Sequence, residues 1–152
     1  DWLYEALHHF GFANQASPTH HGAGLALTNC YIAATVRCAP PGNKPSPDEF
    51  AQCGRFLRDE MHLLKRMRIV ITLGKIAFDH YLKTHRADGH TIPSPTPKFG
   101  HGAKYRLPWG DLLLGSYHPS QQNTFTGKLT RPMFHSVFAQ ARRELGNPYP
   151  AR

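Results

Sequence analysis

The sequence contains few cysteines, few acidic residues and no long apolar stretch. Three cysteines occur in 152 residues, and this small, odd number argues against the disulfide framework of a small secreted domain. No apolar run approaches the roughly 20 residues that a membrane-spanning helix needs, and the first residues do not resemble a secretory signal. The length is sufficient for one globular domain with its own core.

Acidic residues are outnumbered by basic ones. Lys and Arg total 18 against 10 Asp and Glu, which gives a formal net charge of +8. Such an excess attracts polyanions, and nucleic acid is the commonest polyanionic partner. Since net charge carries little information about specificity, a merely basic protein without a nucleic-acid partner remains an alternative at this point.

Apolar periodicity and breaker residues predict alternating helices and strands. Buried strands are predicted at 27–36, 68–74 and 111–117, and residues 86–104 are predicted to be a loop rich in Pro and Gly. Helical spacing or helix start signals predict four helices, at residues 1–10, 46–64, 75–85 and 129–145. This alternation favours a parallel α/β sheet, in which ligands bind beyond the carboxyl ends of the strands.

The segment SYHPSQQNTFTGKLT, residues 116–130, is the most informative stretch. His118 stands at the end of a predicted strand, and a series of hydroxyl and amide side chains follows it. Hydroxyls near a helix start suit a phosphate, and an amide such as Asn123 offers the donor and acceptor that a base edge requires. From these residues alone, nucleic-acid contact and an ordinary polar loop are equally good interpretations.

Two strings, in this order and separation, resemble one protein family. Residues 116–130 resemble the last signature of the family 5 uracil-DNA glycosylases, and AATVRCAPPGNKPSPDEFAQC, residues 33–53, resembles the iron–sulfur and active-site segment of the same family. The resemblance covers residues 1–145 and implies a three-layer α/β/α fold around a four-stranded parallel sheet. It also implies hydrolysis of the N-glycosidic bond of uracil, or of another deaminated base such as hypoxanthine, flipped out of DNA.

The resemblance further implies roles for individual residues. His118 and Asn43 are the candidate catalytic residues: His118 would favour negative charge on the departing base, and Asn43 would contact the base or position water. We therefore expect Asn43, His118 and Asn123 to converge on one pocket. The candidate base- and DNA-binding residues are Asn123, Ser120, Gln121, Gln122, Thr126 and Lys128.

The cysteines are considered next as possible ligands of a cofactor. Two lone cysteines such as Cys38 and Cys53 are ordinarily core residues, but the resemblance implies that they supply two of the four thiolates of a 4Fe–4S cluster. Cys30 matches no ligand position and is expected to be buried in its strand. No pair of histidines shows the spacing of zinc ligands in a suitable context.

Two features of the family are not found in these residues. They are an N-terminal strand that ends in a catalytic GLAP-type loop and the Cys pair that completes the cluster. We expect the N-terminal part of the protein to be missing from this sequence and the sheet to lack its first, central strand. Because neighbouring strands would keep unpaired backbone groups, we expect this polypeptide alone to be marginally stable and inactive.

Other functions remain open. A non-catalytic nucleic-acid-binding module of the same fold would bind DNA with steep salt dependence and would release no base. A nucleotide hydrolase would use the HPS segment as a phosphate loop and would ignore uracil in DNA. A family 4 glycosylase is close as well, but an asparagine would be expected where Ala33 stands. For the resembling family, the implied partner is DNA containing uracil or other deaminated bases, bound by a monomer in the cytoplasm, at the nucleoid.

Overall fold

The computed structural model describes residues 1–17, 24–33, 47 and 57–146. The chain divides into two compact units, a first unit of Asp1–Tyr31 with Ser116–Arg152 and a second unit of Ile32–Gly115. Within the described ranges, no helix is both long and apolar enough to cross a membrane. In chain order the elements are α1 (Trp2–His9), α2 (described over residues 57–63), β1 (Ile69–Leu73), α3 (Lys75–Ala87), β2 (Lys104–Arg106), β3 (Leu112–Ser116), α4 (Gln121–Phe125) and α5 (Arg131–Leu145).

The described strands form a three-stranded sheet in which β3 lies between β1 and β2. β2 is antiparallel to β3, with Lys104 opposite Leu114. On the other side, Leu112 N donates to Arg68 O at 2.9 Å and Thr72 Oγ1 donates to Leu114 O at 3.2 Å. These contacts advance in the same direction along both strands, as in a parallel pair. The sheet is therefore mixed, and its middle strand is buried along its whole length.

This sheet differs from the predicted set of four parallel strands. Three strands are present in the described ranges, and β2 is an antiparallel strand that begins at the end of the predicted loop. It pairs with β3 because Leu107 N donates to Asp111 O at 2.9 Å, which closes a tight turn. Gly110 enters that turn with a φ of 104°, a conformation that glycine adopts readily. The missing central strand and the three layers stay predictions.

The predicted strand over 27–36 is wrong for its described part, since residues 28–33 have no strand structure. Leu27 forms a single isolated bridge. Asn29 then takes a φ of 52°, a left-handed conformation that cannot continue a ladder. Tyr31 is 52% exposed, and this apolar run is in none of the three strands of the described sheet.

The predicted helices are confirmed wherever their residues are described. α1 begins with Asp1, whose side chain accepts a hydrogen bond from Leu3 N at 2.9 Å. α5 begins with Thr130, which accepts from Met133 N at 3.3 Å, and a proline occupies its first turn. Such caps satisfy backbone N–H groups that the helix itself leaves unpaired. Gly146, with a φ of 82°, follows the last turn of α5.

Helices α1 and α5 pack against each other in the first unit. Two arginines of α5 make polar contacts that support this packing. Arg131 Nε lies 3.0 Å from Glu5 Oε2, and Arg142 Nε donates to Phe10 O at 2.9 Å. The fully buried Phe134 supplies part of the core between them. These contacts therefore hold α5 against α1 and the residue that follows it.

An aromatic and histidine cluster fills part of the second unit. Trp109 Nε1 donates to Tyr81 OH at 2.9 Å, and Tyr81 OH donates to Asp111 Oδ2. The buried His85 ring stacks on Trp109 with centroids 4.3 Å apart, and its Nδ1 lies 3.0 Å from His90 Nδ1. Two facing Nδ1 atoms can share one proton only while at least one ring is neutral. The contact between His85 and His90 therefore requires that at least one of the two rings be neutral.

We expect mild acid to destabilise the second unit through His85. Burial holds the pKa of His85 below its ordinary value, Asp111 and Asp88 raise it less, and His90 and His62 add to the lowering. The unfolded chain takes up the proton near pH 6.5, so the contribution of His85 to the free energy of unfolding is complete above that pH and declines as the pH falls below it.

The measurement is urea unfolding between pH 7.5 and 5, followed by Trp109 fluorescence in a Trp2→Phe background. His85→Gln should flatten the pH dependence, whereas the control His8→Gln, at an exposed position of α1, should leave it unchanged. An unaltered slope in His85→Gln would contradict this assignment.

Candidate nucleic-acid interface

The loop between β3 and α5 carries most of the predicted site residues. We call residues 118–130 the interface loop; it contains the five-residue helix α4 and ends at the cap of α5. All of it lies in the first unit. The helix that follows it packs against α1, so the far end of the loop is held within the first unit.

Asn123 organises the loop from within. Its backbone N donates to Ser120 Oγ at 3.2 Å, its Nδ2 donates to His118 O at 2.9 Å, and its O accepts from Leu129 N at 3.0 Å. Leu129 is completely buried, which anchors the far end of the loop. The side chain of one residue therefore fixes the position of the His118 backbone relative to α4.

Of the other polar residues in and next to α4, one closes the helix with a hydrogen bond and two have exposed side chains. Thr126 Oγ1 donates to Gln122 O at 2.7 Å, and so closes the end of the short helix. The side chains of Gln121 and Gln122 are exposed, as is the Phe125 side chain at 82%. Residues three and four apart share a helix face, so these three side chains form one solvent-facing surface.

His118 is placed where a neutral imidazole can act. The residue reaches solvent, but partial burial of its ring lowers its pKa below the ordinary value. At neutral pH the ring is therefore uncharged, with one N–H donor and one nitrogen acceptor. Such a ring can donate a hydrogen bond to an oxygen that gains negative charge without first losing a proton.

Lys128 and Arg131, the two basic side chains near the start of α5, make different contacts. Lys128 is exposed, and its Nζ lies 4.8 Å from the centroid of the Tyr117 ring. This cation–π contact holds the ammonium group at the surface of the loop without neutralising it. Arg131 instead forms an ion pair with Glu5, so its charge is compensated. Lys128 is the better candidate for a phosphate contact.

The structure brings several predicted site residues together. His118, Ser120 and Asn123 contact one another through the bonds given above, but Ser120 and Thr126 also have structural roles as caps of α4. Asn43 lies outside the described residues, so its convergence with His118 and Asn123 stays a prediction.

The predicted cluster ligands Cys38 and Cys53 also lie outside the described residues. Among the described side chains, no group of three or more His, Cys, Asp and Glu could hold a metal ion. Cys30 is half-buried rather than part of a buried strand, and burial raises the pKa of its thiol, which disfavours the thiolate that a metal requires. Three cysteines in 152 residues do not fit a cluster held by four thiolates.

Two aromatic residues at this site, Tyr117 just before the interface loop and Phe125 within it, were not predicted from the sequence. Phe125 was not singled out, although it is an isolated aromatic ring in a polar segment and lies four residues after Gln121. That helical spacing was a usable signal. The contact between Tyr117 and Lys128 had no signal in the sequence, because no local pattern links two residues so far apart along the chain.

Comparison with known proteins supports the resemblance seen in the sequence. The profile of the uracil DNA glycosylase superfamily matches residues 1–142. The chain is 42% identical over 147 residues to a type-5 uracil-DNA glycosylase of Mycobacterium bovis, covering 96% of this chain and 53% of the relative. It is 42% identical over 145 residues to a type-5 enzyme of Thermus thermophilus, covering 95% of this chain and 64% of the relative.

A type-5 uracil-DNA glycosylase of Mycobacterium leprae is 38% identical over 147 residues, which cover 96% of this chain and 62% of the relative. The chain thus spans from about half to less than two thirds of the lengths of these three relatives. The profile match, in contrast, extends over nearly all of the chain, including β3, the interface loop and most of α5. On that evidence the chain belongs to the uracil DNA glycosylase superfamily.

Proposed function

We propose that this protein removes uracil from DNA by hydrolysing the bond between the base and its deoxyribose. The observation that carries the proposal is the match of residues 1–142 to the uracil DNA glycosylase superfamily. The three relatives described above are type-5 uracil-DNA glycosylases. The net charge of +8 and the amide-rich interface loop suit a DNA substrate.

A base within a duplex is stacked and paired, so the target nucleotide must be extruded before its glycosidic bond can be reached. The proposed substrate is therefore DNA that contains uracil, or another deaminated base such as hypoxanthine, whose weakened pairing lowers the cost of extrusion. We take the enzyme to act as a monomer at the nucleoid.

In the reaction the bond between C1′ and the base nitrogen breaks, and the base departs with the electron pair. Water supplies hydroxide to C1′ and a proton to the base, which leaves an abasic site. His118 would donate a hydrogen bond from its neutral ring to the base oxygen as negative charge develops there. This is the type of preorganised stabilisation that contributes most to many enzymes.

Two asparagines complete the proposed site. The Nδ2 of Asn123 donates to His118 O, which leaves its Oδ1 as the acceptor for an N–H of the base edge. Asn43 would contact the base or position the water molecule. Ser120 would act by holding Asn123 in place, since its Oγ accepts from the Asn123 backbone N–H.

We expect His118→Ala to lower the single-turnover rate of uracil release by about 10²–10³-fold, the loss typical for removal of one donor to a developing anion. The assay uses the protein with all the residues its gene encodes and a duplex with one deoxyuridine, and it follows alkali-labile strand cleavage. The control His8→Ala changes an exposed histidine of α1 and should retain the wild-type rate. A His118→Ala rate within twofold of wild type would exclude this role, and no uracil release by wild type would exclude the function.

Cys38 and Cys53 are proposed as two of the four ligands of a 4Fe–4S cluster. When bound, such a cluster would hold together the chain segments that carry these two cysteines. We expect the double variant Cys38→Ser/Cys53→Ser of the complete gene product to lose its iron and its visible absorbance. The control Cys30→Ser should keep both, because Cys30 matches no ligand position. Equal iron content in all three proteins would contradict the ligand assignment.

A further inference from the structure

The backbone of His118 is held by side-chain hydrogen bonds on both sides of its α-carbon. Before it, Ser116 Oγ donates to Tyr117 O at 2.9 Å. After it, Asn123 Nδ2 donates to His118 O at 2.9 Å. Because each carbonyl lies in the plane of its peptide group, the two bonds hold both peptide planes that flank the α-carbon. They therefore limit rotation about φ and ψ of His118.

The residue that follows His118 adds a third constraint. Pro119 restricts the backbone of the residue before it, because the proline ring clashes with that residue in the α region. The direction in which the Cβ of His118 leaves the backbone is consequently set by its neighbours. The freedom that remains to the imidazole is that of its own side-chain torsions.

Ser116 is the last interior residue before the interface loop. It ends β3 and is completely buried, so water does not compete for its hydroxyl. Tyr117 is half-buried and His118 is exposed, so the chain passes from the interior to the surface within three residues. The hydroxyl of Ser116 therefore holds the backbone at the point where the chain reaches the candidate site.

We propose that Ser116 is a positioning residue for the reaction, which acts through the Tyr117 carbonyl to hold the His118 imidazole in place to donate to the departing base. This inference rests on the proposed function and adds a residue that contacts neither the base nor the DNA. A donor stabilises a developing anion best when it is already directed at it, and a catalytic group must be held within about 0.5 Å of its productive position. A purely structural Ser116 would only satisfy its own hydroxyl, and the two roles predict different results.

We expect Ser116→Ala to lower kcat for uracil release by about 10-fold, because a misplaced donor loses part of the roughly 10²–10³-fold effect of one donor to a developing anion. KM should stay within about twofold of wild type, since the hydroxyl does not contact DNA. In a His118→Ala background the same substitution should cause no further loss, because a positioning residue acts through the group that it positions.

A second readout does not depend on catalysis. Partial burial of the His118 ring lowers its pKa, so a ring released from its position should titrate closer to the ordinary value. The measurement is an NMR titration of the His118 ring in the free protein. The matched control is Ser136→Ala, which also removes a bond from a serine hydroxyl to a backbone carbonyl, Met133 O at 2.7 Å in α5. This control should keep the kcat and the His118 titration of wild type.

All variants are made with all the residues the gene encodes and are assayed in single-turnover and steady-state experiments on a duplex with one deoxyuridine. Thermal melts check their folding, and the rates are compared at a temperature at which every variant remains folded. A lower kcat with unchanged KM, no further loss in the His118→Ala background and a raised His118 pKa support the positioning role.

The contrary outcomes separate this inference from the proposed function. Wild-type kcat in Ser116→Ala, an effect confined to KM, a further loss in the His118→Ala background or an unaltered His118 titration overturns the positioning role while the glycosylase function stands. If wild type releases no uracil, the proposed function fails and the inference fails with it.

Discussion

The interface loop depends on Asn123, whose backbone and side chain make three hydrogen bonds within the loop. Through them, the cap of α4, the backbone of His118 and the buried Leu129 are tied to one residue. Each neutral bond contributes only about 1 kcal/mol, so no single bond fixes the loop. Together with the burial of Leu129, where truncation to Ala would cost about 2–5 kcal/mol, they allow a segment without regular ladders to hold its shape.

Because of these internal hydrogen bonds, some side chains of the loop fix its conformation while others are exposed to solvent. The hydroxyls of Ser120 and Thr126 satisfy groups within the loop, and the side chains of Gln121, Gln122 and Phe125 are directed to solvent. A surface already in place loses little conformational entropy on binding. His118, kept neutral by the partial burial of its ring, then lies beside a surface that suits a polyanion.

Much of the fold and of the site could be predicted from local signals. The caps at Asp1 and Thr130 and the strand at Ile69–Leu73 follow from short-range patterns. The family was identified from two sequence segments, and the match over residues 1–142 confirms the superfamily.

Prediction from the sequence failed where the structure of a segment depends on residues far away in the chain. The apolar run after Leu27 has no strand in its described part, where Asn29 takes a left-handed conformation and turns the chain. β2 was missed because Lys104–Arg106 are strand residues only by virtue of β3. Likewise, no local pattern shows that Ser120 holds Asn123 rather than facing a ligand.

The proposed function requires an interface loop that is already ordered before DNA binds. Amide hydrogen exchange of the free protein tests this at Leu129, whose N–H donates to Asn123 O and whose side chain is buried. The account predicts that the Leu129 amide is protected to an extent comparable with Phe134 N–H, which donates to Thr130 O at the start of α5. Exchange of the Leu129 amide at the rate of an unstructured peptide, with Phe134 still protected, would show that the loop is not preformed and would contradict the account.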